Sequence, residues 1–184
     1  MTKFITSCRF AFLVACGFSI AVFFGGCATA SKPTAMVAAP TGPITKHVES
    51  LSVNVTGGGE TSAMGASNIS NADFAEAIKA SIVQSGLFAT IGAVDQADYQ
   101  VEVQIVRLDR PMFGASFTVN FEATWRLLRR SDAKVIWEKA VISKFTATMG
   151  DAFAGVTRLR LANEGAAREN IKDAIAQMGV LTFP

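Results

Sequence analysis

The chain is short of the side chains that do most covalent and metal chemistry. Its 184 residues include one histidine, His47, one tyrosine, and three cysteines, all within the first 27 positions: Cys8, Cys16 and Cys27. Residues 28 to 184 carry no thiol, so a disulfide, a cysteine nucleophile and a thiolate metal site are excluded from the body of the chain. A Ser-His-Asp triad or a zinc site would have to use His47. That residue stands in ITKHVES, at the start of an expected strand, with no Gly-x-Ser-x-Gly elbow or acid-rich segment to meet it. It reads as a surface or strand-edge histidine, and no catalytic residue, metal or cofactor is expected. An excess of charge is also lacking. There are 17 Lys and Arg against 15 Asp and Glu, and Lys3 and Arg9 account for the difference. The remainder is neutral and exerts no global pull on nucleic acid. Gly57, Gly58 and Gly59 lie between an expected strand and helix, but neither Gly-Lys-Ser/Thr nor G-x-G-x-x-G accompanies them. They read as a mobile connection, not a phosphate loop.

What is present begins with an address. Lys3 and Arg9 precede an uncharged run from Phe10 to Gly26, which is short of the roughly 20 residues a spanning helix needs and ends in small residues. Phe24-Gly25-Gly26-Cys27 resembles the bacterial lipobox, although Phe24 stands where Leu is usual. The resemblance implies cleavage before Cys27 and thioether lipidation of its thiol. The alternative is an ordinary signal peptide cut near Ala28 to Ala30, or a residual single-pass anchor. Ala28 stands where an Asp would retain an enterobacterial lipoprotein at the inner membrane, so the resemblance implies the periplasmic face of the outer membrane. The expected division is a signal peptide over 1–26, a lipidated cysteine and flexible tether over 27–43, and a single periplasmic domain over 44–184. The tether, ATASKPTAMVAAPTGP after Cys27, has three prolines among small residues. Fully extended, it would hold the domain up to about 50 Å from the lipid.

The domain segment alternates strand and helix patterns. ITKHVESLSVNVT reads as a strand, and SNADFAEAIKASIVQSG as a capped helix over about 71–85, with Ser70 as N-cap and Gly86 as stop. Leu87 and Phe88 are expected to fold back onto its last turn. YQVEVQIVRL and SFTVNFEATWRLLRR alternate apolar and polar residues, the pattern of antiparallel strands covered on one face. KVIWEKAVISKFTAT alternates less well, which points to a bulge or an edge position near Lys139. The last segment carries a helical apolar stripe of Ala167, Ile171, Ala174, Ile175 and Met178, with Glu164 and Arg168 spaced as an ion pair and a start at Gly155 or Asn163. The expected fold is α+β: a two-layer sandwich of β-α-β-β-β-α order, with a mostly antiparallel four-stranded sheet and two helices on one face.

ADYQVEVQIVRLDRP together with TATMGDAFAGVTRLRLANEGAARENI resembles a group of small proteobacterial envelope lipoproteins of unassigned activity, most specifically in RLANEGAARENI. The resemblance spans roughly residues 44 to 180 and implies an outer-membrane, periplasm-facing protein, with no catalytic residue carried over. In element order alone, the domain is similar to the lipopolysaccharide-assembly lipoprotein and to the N-terminal domain of the Tol-Pal propeller protein.

Three surfaces are candidates for function. RLDRPMFGAS places Met112 and Phe113 at a hairpin tip with Arg107 and Arg110 beside them; Phe113 is expected to fold over the end of the core, and the alternative is contact with a partner or a membrane surface, the arginines facing acidic lipid or carbohydrate. Arg126, Arg129, Arg130 and Lys134 gather at another turn, where Asp132 and Glu138 partly neutralise them and a plain solvated hairpin end is expected, and Arg158, Arg160, Arg168 and Lys172 mix with acids near the last helix, which points to local ion pairs before any anion site. The expected function is a non-enzymatic accessory or adaptor, membrane-attached through its lipid, working with an envelope protein or component. An envelope enzyme using carboxylates among Asp95, Asp98, Asp109 and Asp151, or a carrier holding lipid between sheet and helices, are the alternatives.

Overall fold

The structure, a computed structural model, describes residues 28–62 and 66–182. Eight elements follow one another: α1 (Pro33–Met36), β1 (His47–Thr56), α2 (Asn71–Ser85), β2 (Phe88–Ile91), β3 (Tyr99–Asp109), β4 (Phe117–Arg129), β5 (Lys134–Ala147) and α3 (Gly155–Met178). The class is α+β, as expected, but the sheet has five strands in the order β2-β1-β3-β4-β5. It is mixed. β1 runs parallel to both β2 and β3, while β3, β4 and β5 are antiparallel neighbours. The expected four-stranded sheet with two helices is corrected on both counts.

The extra strand is the segment expected to fold back on α2. Phe88 pairs with His47 and Ile91 with Leu51, so Phe88-Ala-Thr-Ile forms a four-residue edge that is too short to show alternation. Leu87 and Phe88 are buried, as a fold-back would also have made them. α2 matches its sequence signals closely. The Ser70 hydroxyl accepts from the Asp73 N–H at 3.1 Å, and Gly86 ends the helix in the left-handed region at φ 67°. α3 takes the earlier of its two expected starts. β5 is the other edge, as its weak alternation suggests, and its register shifts at Ile136, between the pairs Leu127–Trp137 and Leu128–Val135, instead of near Lys139. A second irregularity, at Val106 in β3, also lies beyond what alternation reveals.

The strands' alternation sorts their side chains onto two faces. Val53, Val101, Val103, Val119, Phe121, Ala123, Trp125 and Leu127 face α2 and α3 and are buried. Phe74 of α2 meets Phe121 and Trp125 edge-on, with ring centroids 5.2 and 6.2 Å away. α3 fits this surface through polar exceptions. Asn170, fully buried, accepts from the Trp125 indole N–H at 2.8 Å and donates to the Val141 carbonyl at 2.7 Å. Gly165 leaves room for the Phe145 ring, since a Cβ there would stand 2.3 Å from it.

The largest departure from expectation is the tether. Residues 31–38 pack onto the helical layer. Met36 and Ala38 are buried, and α1 lies against both α2 and α3. The Lys32 N–H donates to the Glu164 carboxylate at 2.9 Å, the Ala38 N–H to the Ser81 hydroxyl at 2.9 Å, and the Arg168 guanidinium to the Ala35 carbonyl at 3.1 Å. Glu164 and Arg168 therefore do not form the expected ion pair. Glu164 pairs with Arg160 at 3.1 Å, and Arg168 lies over the Phe145 ring at 5.5 Å. A composition typical of a linker has produced a strap, because Met36 finds a place between two helices.

Candidate functional site

The strands place the chain's loops at two ends of the molecule. One end gathers the turns after β1, β3 and β5 and the starts of α2 and α3. The other gathers the start of β1, the loop 92–98, the turn 130–133 and the residues after α3, where the Thr45 N–H donates to the Gly179 carbonyl at 2.8 Å.

The hairpin tip lies at the first end, and it is solvated. Met112 is 82% exposed and Phe113 86% exposed, so neither covers the core. A second apolar group, which sequence reasoning missed, stands on the neighbouring loop between β5 and α3: Met149, 52% exposed, and Phe153, 86% exposed. One buried side chain joins the two loops. Arg158 donates to the carbonyls of Ala152 and Phe153 at 2.9 and 2.8 Å and to that of Gly114 at 3.1 Å, with its guanidinium 5.1 Å from the Phe117 ring centre. The signal was in the sequence, since Met149 and Phe153 flank Gly150 in a short polar loop. Only the strand register sets that loop beside Phe113.

The cations named with the tip are engaged by the protein's own groups. Arg107 pairs with Asp109 at 3.3 Å and Glu122 at 3.2 Å. Arg110 donates to the Ser67 carbonyl, and burial pushes its pKa down without discharging a guanidinium at neutral pH. Ser67 also accepts from the Asn163 amide at 2.8 Å, and next to it the Asn68 carbonyl takes the Ser31 N–H at 3.3 Å. The entry of the strap, the β1–α2 loop and the tip are thus linked at one end of the domain. Cys27, the expected lipidation site, lies outside the described residues.

The remaining candidates resolve into local pairs. Arg126 meets Glu102 and Glu138 at 3.4 and 3.3 Å, Arg129 meets Asp132 at 2.8 Å, and Arg130 donates to Gln100 at 2.8 Å. The Arg129 hydrogen bond holds the Asp132 carboxyl down at a pKa of about 2. The four carboxylates considered for acid-base work divide between the ends. Asp95 and Asp98 line a shallow cleft of about 510 Å³ with Glu49, Tyr99, Arg129 and Arg130. Asp109 and Asp151 belong to the tip end. Asp98 accepts from the Ser50 N–H and hydroxyl at 2.8 and 2.7 Å, and Asp151 from the Thr148 N–H and hydroxyl at 2.7 and 2.8 Å. These bonds lower both pKa values, which favours fixed anions over proton donors. His47 is buried at the start of β1, with its ring 5.3 Å from that of Phe88, and burial lowers its pKa. Among the described residues no group of three or more His, Cys, Asp or Glu is placed to hold a metal ion, and no helix is long and apolar enough to cross a membrane.

The fold is a mixed sheet with its helices packed on the apolar face, and solved structures share it. A Xanthomonas campestris protein of the family DUF330 superposes with a TM-score of 0.64 at 15% identity, over 83% of this chain and 95% of that one. A hypothetical protein from Chlamydia trachomatis gives a TM-score of 0.50 at 12% identity, over 73% and 98%. A minor lipoprotein from Acinetobacter baumannii scores 0.42 at 11% identity, over 73% and 90%, too distant to support an argument. Compared by sequence, the chain matches no family model and no curated protein. At these identities the likeness is one of fold. The observed order, with β2 inserted between α2 and β3, also departs from the six-element order on which the similarity to the lipopolysaccharide-assembly lipoprotein and the Tol-Pal domain rested.

Proposed function

We propose that the chain is a lipid-anchored envelope lipoprotein, attached through Cys27 at the periplasmic face of the outer membrane. Its domain acts without chemistry of its own, as an adaptor for an envelope protein. The observation that carries the adaptor reading is the outer edge of β5 over residues 134–140, ahead of the stretch that α3 covers. This strand is 14 residues long and among the described residues pairs only with β4; α3 takes its Val141 carbonyl through Asn170, while residues 134–140 lie mostly exposed and Val135 and Ile142 stand 38% and 67% exposed. An exposed strand edge recognises another strand by adding it to the sheet. Lys134, Glu138, Lys139 and Lys144 punctuate it, which discourages unspecific pairing and favours a partner with matching charges. The engagement of Asp98, Asp109 and Asp151 by Ser50, Arg107 and Thr148 speaks for binding over acid-base chemistry at those carboxylates. The side chains of Phe74, Phe121 and Trp125, interlocked between sheet and helices, speak against the lipid-carrier alternative.

Mild cross-linking in membranes followed by affinity capture tests the reading. A defined envelope protein should be recovered with the native chain and lost with Ile142→Asp, while the variant stays folded and membrane-bound. Equal recovery with Ile142→Asp would rule out the β5 edge. For the anchor, Cys27→Ser should abolish acyl labelling; persistent labelling would refute it.

A further inference from the structure

The proposed anchor, the strap and the two apolar loops converge on one end of the domain. Ser31 is fixed there by the Asn68 carbonyl and Lys32 by Glu164, so residues 28–30 alone separate the fixed chain from Cys27. An acyl group on Cys27 would then lie within about 14 Å of Ser31, the reach of four extended residues. Asn68 is joined through Ser67 to Arg110, three residues before Phe113, and Arg158 couples that loop to Phe153. Phe113 and Phe153, both 86% exposed, therefore face solvent at the end from which the anchor leaves.

We propose that this end docks directly on the lipid bilayer that carries the anchor, with Phe113 and Phe153 entering the interface and Met112 and Met149 beside them. The proposal rests on the anchor reading for its nearest lipid, and it names a contact that the lipid alone does not require. Aromatic and thioether side chains suit the boundary between headgroups and acyl chains, and a second weak contact turns one lipid chain's marginal hold into stable attachment. A protein partner would be expected to meet charge as well. Here Arg110 and Arg158 spend their hydrogen bonds on backbone carbonyls and Arg107 is paired with Asp109 and Glu122, so the exposed Phe and Met side chains, not free cations, carry the contact. Arg158 adds preorganisation, since both loops are held before the membrane is met.

The test places an environment-sensitive fluorophore at Met112→Cys or, at the opposite end, at Ser131→Cys. The lipoprotein is reconstituted into phosphatidylethanolamine–phosphatidylglycerol vesicles containing brominated acyl chains. Emission at position 112 should shift to the blue and be quenched, with neither change at 131, and Phe113→Asp combined with Phe153→Asp should abolish both changes. Equal, unquenched emission at the two positions overturns the docking. The mass of the purified chain reads the anchor independently. An acylated chain with an unquenched tip rejects the docking and keeps the anchor, whereas a quenched tip on an unacylated chain rejects the anchor and keeps the docking.

Discussion

At the scale of single residues, buried polar groups in α3 do the joining. Asn170 satisfies two partners that have no access to water, the Trp125 indole and the Val141 carbonyl. Asn170→Ala leaves both unpaired and opens a small void, and it should cost about 2–4 kcal/mol in urea unfolding. Asp132 makes the opposite kind of contribution, at the surface. Its carboxyl is held at about 2 by Arg129, below the ordinary value of 3.8. A depressed carboxylate stabilises the fold above the unfolded pKa, and that contribution is lost as pH falls through the folded one. Melting temperature should therefore decline between about pH 4 and pH 2, and Asp132→Asn should flatten part of the decline by slightly lowering the neutral-pH melting temperature while leaving the acid value nearly unchanged, a small effect because the pair is solvent-exposed. An unaltered slope in the variant would reassign the acid sensitivity to Asp98 and Asp151, which are lowered by their serine and threonine bonds.

At the scale of elements, α3 meets the sheet by close approach. Gly165 faces the Phe145 ring, so Gly165→Ala should gain helix propensity yet destabilise by about 1–3 kcal/mol through overpacking. Phe145→Leu in the same chain should restore part of the loss, and no coupling between the two in a double-mutant cycle would show that the ring simply swings away. The elements differ in how far the sequence revealed them. β3 and β4 announce themselves because one face is buried and the other wet, and Ser70 and Gly86 mark the ends of α2 through local hydrogen bonds. β2 is invisible to periodicity because four residues complete only two alternations. The strap is invisible because Pro, Ala and Thr between 28 and 43 are what a linker also uses; its burial depends on a groove that exists only once α2 and α3 have packed. The tip was half legible. Met112 and Phe113 stand out in a polar turn, but their company with Met149 and Phe153 depends on strand register, and the role of Arg158 on contacts to backbone carbonyls that no spacing encodes.

At the scale of the whole molecule, the strap decides how the domain would stand relative to a membrane reached through the proposed Cys27 anchor. An extended tether would let a neutral domain roam tens of ångströms from the lipid. Under the proposed anchoring, a chain fixed from Ser31 onward would hold it close, tip end first, and would leave the length of β5 pointing away from the surface. Releasing the strap should undo this. Met36→Asp places a carboxylate in a fully buried position, and it should destabilise the packed strap by several kcal/mol while the sheet beneath persists. Hydrogen exchange would then show residues 31–38 losing protection ahead of β3 and β4; simultaneous loss would mean that strap and sheet unfold as one unit. The central claim, that the domain sits on the bilayer instead of hanging from it, is most directly tested by neutron reflectometry of the lipoprotein on a supported bilayer. The predicted profile has protein density beginning within the headgroup layer with no intervening water, whereas a hydrated gap of about 30–50 Å, the span of an extended tether, would contradict it.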